Sequence, residues 1–483
     1  MQTSKQEMRV LEVDASDVRA WKSHKGAAGI PGSAPGHPGF PDMTPLWRDA
    51  GVRLVRSYDW VSRLDTRDNP ASLFPDWDAD PADPASYNFA ATDAWVEAVH
   101  SVGADVLFTF ASSIPQNKLP AIDLAKYGIV VEHVVRHYAE GWADGPAKPI
   151  RMFEFGDQPD LGPLHFVGRP EEFFDMYAEF CAAVKRVDDT LIVGGPSLAF
   201  PLNADADYRE GFLSFVHERE LPLDFFSFLW FTDATRDPMD FRFLATELRA
   251  LLDASGFPDT KLMLSYWNYL GIPANDAPAA EKAAFQAASM VYLQDTPLDY
   301  AIFFRADSGK DPHYGFVDPA GVHGRDGSPD ERAVAFSLIG RAMTGERLGV
   351  SGGDQAGFAA LAGRDGDVVR ILVSNFEAPE SALAPRASDE FVFRIPIGSE
   401  RIELGLRLPP QRDALASAGV DSARIALVNL PWSGRDVSIQ VQSLHGPRGG
   451  ARHEHVSESG SLDLDVEIEP QSVLLVELSL QER

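Results

Sequence analysis

Cysteine is almost missing from this chain: Cys181 is the single one in 483 residues, so no disulfide framework can form. It sits in FFDMYAEFCAAVKRV at helical spacing from Phe174 and Tyr177, and a buried core thiol is expected. Long hydrophobic runs are also missing. No stretch approaches the length that spans a bilayer, and the opening MQTSKQEMRVLEVD lacks the apolar core of a secretion signal. A cytoplasmic protein without a membrane partner is expected, although a mature secreted form would read the same way. Positive charge is scarce, with 43 Lys and Arg against 72 Asp and Glu and a net charge of -29, which makes nucleic acid an unexpected partner.

Metal-ligand spacing is wanting as well. His453 and His455 lie two apart in a strand-like run, and DWDADPAD at Asp76 to Asp83 is acidic without the pattern of a calcium loop. No cofactor is expected, and the sequence leaves the oligomeric state open.

What the chain does have is apolar bulk: 45% hydrophobic residues, with nine Trp and thirty Phe, enough for a large core. Its length suits a large domain plus a smaller one. From about residue 50 to 345, short β-rich runs alternate with longer amphipathic stretches, the pattern of repeated βα units. Candidate strands are Val52 to Ser57, Asp105 to Phe110, Ile150 to Phe155, Leu191 to Gly194, Phe225 to Trp230, Leu262 to Tyr266 and Tyr300 to Arg305, with an earlier one before Lys25. Helical periodicity marks PSLAFPLNADADYREGFLSFVHERE, APAAEKAAFQAASMVYLQ and the last helix, Glu331 to Thr344. The Gly- and Pro-rich GAAGIPGSAPGHPGFPD reads as a long loop. Beyond residue 345 the runs GFAALAG, VVRILVSNF, EFVFRIPI, ARIALVNL, VSIQVQSL, LDLDVEI and SVLLVELSL alternate as strands do. The expected architecture is an α/β (β/α)8 TIM barrel over 15–345, followed by a C-terminal antiparallel β-sandwich over 346–483 that residues 1–14 join.

In such a barrel, chemistry sits at the C-terminal ends of the strands. Those ends carry Arg56, Tyr58 and Asp59 after the second strand and Asp157, Gln158 and Asp160 after the fourth. Trp230 and Asp233 follow the sixth, Tyr266, Trp267 and Asn268 the seventh, and Arg305 and Asp307 the eighth. Aromatic faces beside carboxylates, amides and guanidinium groups suit a sugar, with its apolar C–H faces and rim of hydroxyls, so a small glycoside or oligosaccharide is the expected substrate. His24 and Lys25, near the end of the presumed first strand, are further acid/base candidates.

RMFEFGDQPDL, taken with GVRLVRSYD, ASYNFAATDAWVEAVHSVGA, DFFSFLWF, LMLSYWN and EPQSVLLVEL in that order, resembles glycoside hydrolase family 39, the β-xylosidase and α-iduronidase group. The resemblance implies a retaining glycosidase with one glutamate in Asn-Glu-Pro after the fourth strand and another in Glu-Trp-Asn after the seventh. The chain departs from that pattern at both places. Gln158 stands where the acid/base would be, and Tyr266 where the nucleophile would be. Two further family histidines are replaced by Tyr58 and Leu229. A retaining mechanism needs two carboxyl groups about 5 to 5.5 Å apart, and an amide exchanges no useful proton.

Two functions follow. One is an enzyme with a shifted constellation, in which Tyr266 attacks the sugar or abstracts a proton beside a uronate carboxylate, helped by Asp157 or Asp307. Arg56, Arg305 and Gln158 would neutralise the uronate. The other is a pseudo-glycosidase that binds a sugar or a partner in the old cleft, with Gln158 and Asn268 as hydrogen-bonders and Tyr266 as a platform. Parity along an extended strand puts Glu154 about 13 Å below Gln158, at roughly 3.3 Å per residue, so it reads as a floor residue.

Overall fold

The computed structural model describes residues 8–22, 25–28, 42–57, 72–110, 123–202, 207–232, 237–269, 277–305, 315, 329–354, 356–378, 390–397, 400–407 and 420–481. After β1 (Arg9–Arg19), eight parallel strands close into a barrel in chain order: β2 (Gly26–Ala28), β3 (Leu54–Arg56), β4 (Asp105–Phe110), β5 (Met152–Phe155), β6 (Ile192–Leu198), β7 (Phe225–Thr232), β8 (Lys261–Tyr269) and β9 (Tyr300–Phe303). Around them run α1 (Thr44–Asp49), α2 (Ala90–Ser101), α3 (Leu124–Glu140), α4 (Pro170–Val187), α5 (Asp207–Glu218), α6 (Asp240–Ala254), α7 (Ala279–Leu293) and α8 (Glu331–Ala342).

The first barrel strand follows Lys25 rather than preceding it, and it takes the opening three residues of the stretch expected to be loop. Gly26 is required there by a close approach: a Cβ would stand 2.7 Å from the carbonyl oxygen of Ala301 on β9. A three-residue Gly-Ala-Ala strand has no β-branched or aromatic signature, which is why the pattern of apolar runs passes over it. β6 also continues to Leu198, through residues whose spacing suggested helix.

Side-chain alternation sorts the core into two shells. Phe153, Phe155, Phe226 and Phe228 point outward into the helix layer, while Met152, Phe225, Leu229, Met263, Tyr266, Ile302 and Phe304 fill the lumen. Local sequence fixes the helix ends. The Asp123 side chain accepts from the amides of Ala125 and Lys126 at the start of α3, and Gly141 closes that helix in the left-handed region at φ 79°. Cys181 is buried on α4, and burial pushes its thiol up to about 12.

Beyond the barrel lie β10 (Glu346–Ser351), β11 (Phe358–Asp365), β12 (Val368–Asn375), β13 (Glu390–Ile397), β14 (Glu400–Arg407), β15 (Ser422–Val428), β16 (Asp436–Ser443), β17 (Gly446–Pro447), β18 (Arg452–His455), β19 (Leu462–Glu467) and β20 (Ser472–Leu480). Nine of them curl into one sheet with β1 in the order β17-β16-β20-β12-β11-β10-β1-β15-β19, with β18 beside β16, while β13 and β14 pair as a hairpin. Pairing is antiparallel except between β1 and β15. Its inner face is packed by Val13, Val373, Ile425, Ile439, Leu464 and Val476. His453 and His455 lie on β18, which is exposed, and His455 Nδ1 is 2.7 Å from Asp436.

α7 joins the two parts. It is buried on nearly every side, and its alanines bring β11, β12 and β20 close. Ser374 on β12 donates to the Ala284 carbonyl at 2.7 Å, and Phe285 meets Phe376 edge-on at 5.4 Å. No described helix is long and apolar enough to cross a membrane.

Lys25 faces the N-terminal end of the barrel. Its Nζ donates to the carbonyls of Gly340 at 3.0 Å and Met343 at 2.7 Å, closing the C-terminal end of α8. Burial, helped by nearby Arg53, pulls its ammonium from 10.5 down to about 8. The folded chain therefore holds this proton less tightly than the unfolded chain, and raising the pH from about 8 to 10 adds stability. The thermal midpoint of the wild type minus that of Lys25→Met should rise across this interval. A flat or falling difference would show that the ammonium is solvated.

Candidate active site

At the C-terminal end of the barrel, Arg56 closes β3 and turns into the lumen, 1% exposed. Its Nε donates to Glu154 Oε2 at 2.6 Å. Its Nη2 reaches three acceptors: Asp157 Oδ1 at 3.2 Å, the Gly156 carbonyl at 3.3 Å and Ser197 Oγ at 3.3 Å. Thr109 on β4 donates to the same Glu154 oxygen at 2.9 Å, while Glu154 Oε1 has no hydrogen-bond partner among the described residues. Burial works against the charge of Arg56, but the charges of Glu154, Tyr266 and Asp157 outweigh it and raise its proton affinity above the ordinary arginine value.

The guanidinium carbon lies 4.2 Å from the centre of the Tyr266 ring. Tyr266 reaches the lumen through a bulge. Along β7 and β8, Phe228 pairs with Leu264 and Leu229 with Tyr266, which leaves Ser265 as the extra residue. Ser197 is the extra residue of a second bulge, between β6 and β7. The two bulges are joined: the hydroxyls of Ser197 and Ser265 are 2.8 Å apart, and Ser265 donates onward to the Phe228 carbonyl at 3.0 Å. With Arg56 donating into Ser197, the chain of donors runs in one direction from the guanidinium to β7. Phe304 completes the wall, its ring 4.5 Å from that of Tyr266.

Glu154 is not on the floor. β5 ends at Phe155, and the next residues leave the extended geometry on which the parity argument relied, with Gly156 at φ 111° and Gln158 at φ 57°. A Cβ on residue 156 would lie 2.3 Å from the Pro196 carbonyl, so glycine is needed at this turn. Glu154 is therefore the penultimate residue of a four-residue strand, just beneath the mouth. It is the site residue that sequence reasoning placed elsewhere; the Gly-Asp-Gln-Pro following it was the available signal that the strand had ended.

Other candidates sort differently. Asp157 joins Arg56, and Gln158 caps the turn through its backbone amide, which donates to the Ser197 carbonyl at 2.8 Å. Arg305 is buried where β9 ends. Trp267 and Trp230 are not sugar platforms: both lie in the outer shell, Trp267 against Phe241 and Phe303, because the strand pleat turns them away from the lumen. Asn268 is committed to the fold, its amide donating to the Phe304 carbonyl and its oxygen accepting from the Tyr269 amide at 2.6 Å. Lys25, at the opposite end, takes no part. His24, Tyr58, Asp59, Asp233 and Asp307 lie outside the described residues. In DWDADPAD, Asp76, Asp80 and Asp83 each accept a backbone amide two residues on, which makes them turn-formers.

Asp160 is a tether rather than a free carboxylate. Its two oxygens accept the amides of Ala199 and Phe200, both at 2.8 Å, pinning the end of β6 to the turn after β5. Burial pushes its carboxyl up to about 6 against the pull of those amides. Asp160→Ala should cost about 1–3 kcal/mol for each amide left buried and unpaired, read by denaturant unfolding. An unchanged midpoint would show that water replaces the carboxylate at no cost.

The family model for glycosyl hydrolases family 39 matches residues 96–237. A β-xylosidase of Geobacillus stearothermophilus is 28% identical over 203 residues, which are 39% of this chain and 39% of that protein. A second, from Caldicellulosiruptor saccharolyticus, is 24% identical over 288 residues, 55% of this chain and 56% of that one. The chain thus matches 39% and 56% of the length of these two curated relatives. The crystal structure of a glucosidase from Croceicoccus marinus superposes with a TM-score of 0.92 at 47% identity, covering 99% of this chain and all of that one (100%). The family 39 enzyme of Xanthomonas axonopodis pv. citri shares the fold at a TM-score of 0.69 and 17% identity, with 98% of each chain covered. The chain is a relative of the glycosyl hydrolases of family 39, and its full-length structural neighbours share the fold.

Proposed function

We propose that this chain cleaves a glycoside at the barrel mouth with a site in which Tyr266 replaces the usual nucleophilic carboxylate. The observation that carries the reading is the Arg56 guanidinium over the Tyr266 ring, held there by buried carboxylates. The guanidinium fixes the ring through its face, which orients the phenolic oxygen, the atom able to attack an anomeric carbon once a neighbouring carboxylate takes its proton. Tyrosine serves as nucleophile in sialidases, so the chemistry has precedent. Asp157, a carboxylate in its pair with Arg56, takes the phenolic proton as the phenolic oxygen bonds to the anomeric carbon; the glycosidic C–O bond breaks, and the departing oxygen takes a proton from Asp307. Water then displaces the tyrosine, which recovers its proton from Asp157, and gives a proton back to Asp307. Gln158 supplies hydrogen bonds to the sugar in place of proton transfer.

β-Xylosides and glucosides are the first substrates to try, since similar proteins are β-xylosidases and a glucosidase. Uronate-containing oligosaccharides test elimination; Arg56 is already engaged by Glu154 and Asp157, which argues for hydrolysis. A second reading has its own support: the Tyr266 and Phe304 rings pack with Leu229, Met263 and Ile302 as an apolar filling of the lumen, as in a pseudo-glycosidase that binds sugar without turnover.

Tyr266→Phe separates the two. In the enzyme, removing the phenolic oxygen should lower kcat by at least about 1000-fold, on the order seen when a catalytic group is lost, while sugar affinity measured by calorimetry stays within threefold. Wild-type protein that binds the sugars but releases no aglycone would establish the binding reading.

A further inference from the structure

We propose that Glu154 is a positioning residue of this site: through its bond to Arg56 it decides where the guanidinium meets the Tyr266 ring. This rests on the hydrolytic reading for its kinetic consequence, though not for its geometry.

The bonds of Arg56 are unequal. Arg56 makes one short contact, Nε to Glu154 at 2.6 Å, whereas Nη2 divides itself among Asp157, Gly156 and Ser197 at 3.2 to 3.3 Å. Short bonds between charged groups are the stronger ones, so the carboxylate of Glu154 sets the plane of the fork and the three longer contacts follow. Glu154 is itself fixed. It is fully buried, it projects from a strand hydrogen-bonded on both sides, and Thr109 steadies the oxygen that Arg56 uses. Without this anchor the guanidinium would swing toward Asp157 and Ser197 and leave the ring. Its positive charge would still be in the barrel, but no longer over the ring that it holds in place.

The test is Glu154→Gln, which keeps the shape of the side chain and removes its charge. Two measurements decide. A crystal structure of the variant should show the guanidinium displaced from the Tyr266 ring. On a glycoside that the wild type hydrolyses, kcat should fall about 100-fold, the scale of a misplaced catalytic contact, with KM within about twofold, since Arg56 acts on tyrosine rather than on bound sugar.

A merely structural glutamate would lower the thermal midpoint and leave kcat near wild type at temperatures where the variant is folded, which overturns the proposal. An unmoved guanidinium overturns it as well. If the wild type turns over no glycoside, the hydrolytic reading fails alone, and the position of Arg56 in the variant still decides this one. Should Glu154→Gln not fold, Glu154→Asp carries the same two measurements, because a carboxylate shortened by one methylene also draws the guanidinium off the ring.

Discussion

The mouth of this barrel depends on one buried cation. Arg56 ends β3, and its contacts tie it to Glu154 of β5, to the Gly156–Asp157 turn, to the β6 bulge at Ser197 and to the face of Tyr266 on β8. Thr109 brings β4 into the same knot through Glu154. Five of the eight strands thereby meet around a single guanidinium. Removing either partner of a buried ion pair leaves a charge without solvent, at a cost of about 3–5 kcal/mol. The arrangement constrains the ligand as well, because every polar group recruited to hold Arg56 is one fewer to hold a sugar.

The bulges explain how so many groups reach one point. A regular strand would present alternate residues to the lumen and send Tyr266 toward the helices, where Trp267 goes. One extra residue on β8 reverses the parity, and a second on β6 brings a hydroxyl to meet it. Both extra residues are serines, small enough to sit at a crowded wall and able to satisfy each other. Strain in the strand path is thus compensated by a hydrogen bond that a regular ladder would not contain.

Most of the architecture was legible in the sequence because its elements carry strong periodic signals. Asp105 to Phe110 appears as a strand with the bounds expected, and APAAEKAAFQAASMVYLQ contains α7. Two kinds of element escaped. Gly26–Ala28 has neither length nor apolar bulk, and its place is set by β3 and β9 rather than by its own residues. β10, ERLGVS, alternates weakly and pairs with β1 from the far end of the chain. At the site, residue type was legible and direction was not. Arg56 and Tyr266 stood out as strand-end residues, yet a bulge or a positive φ decides which way a side chain faces. So Trp230 and Trp267 read as platforms and turned outward, Asp160 and Asn268 read as ligand contacts and serve the backbone, and Glu154 read as deep and lies near the top.

The alanine-rich α7 has one more implication. A helix normally offers one face to its own domain, but this one gives its barrel face to Tyr269, whose hydroxyl bonds Glu281, and its other face to Ser374 and Phe376 of the sheet. Two cores therefore share a wall, and neither owns it. Sequence exchange between relatives that treats barrel and sheet as separate cassettes would need to carry this helix with both, and its alanines would have to evolve under two packing constraints at once. The seam beneath α7 can change only in concert.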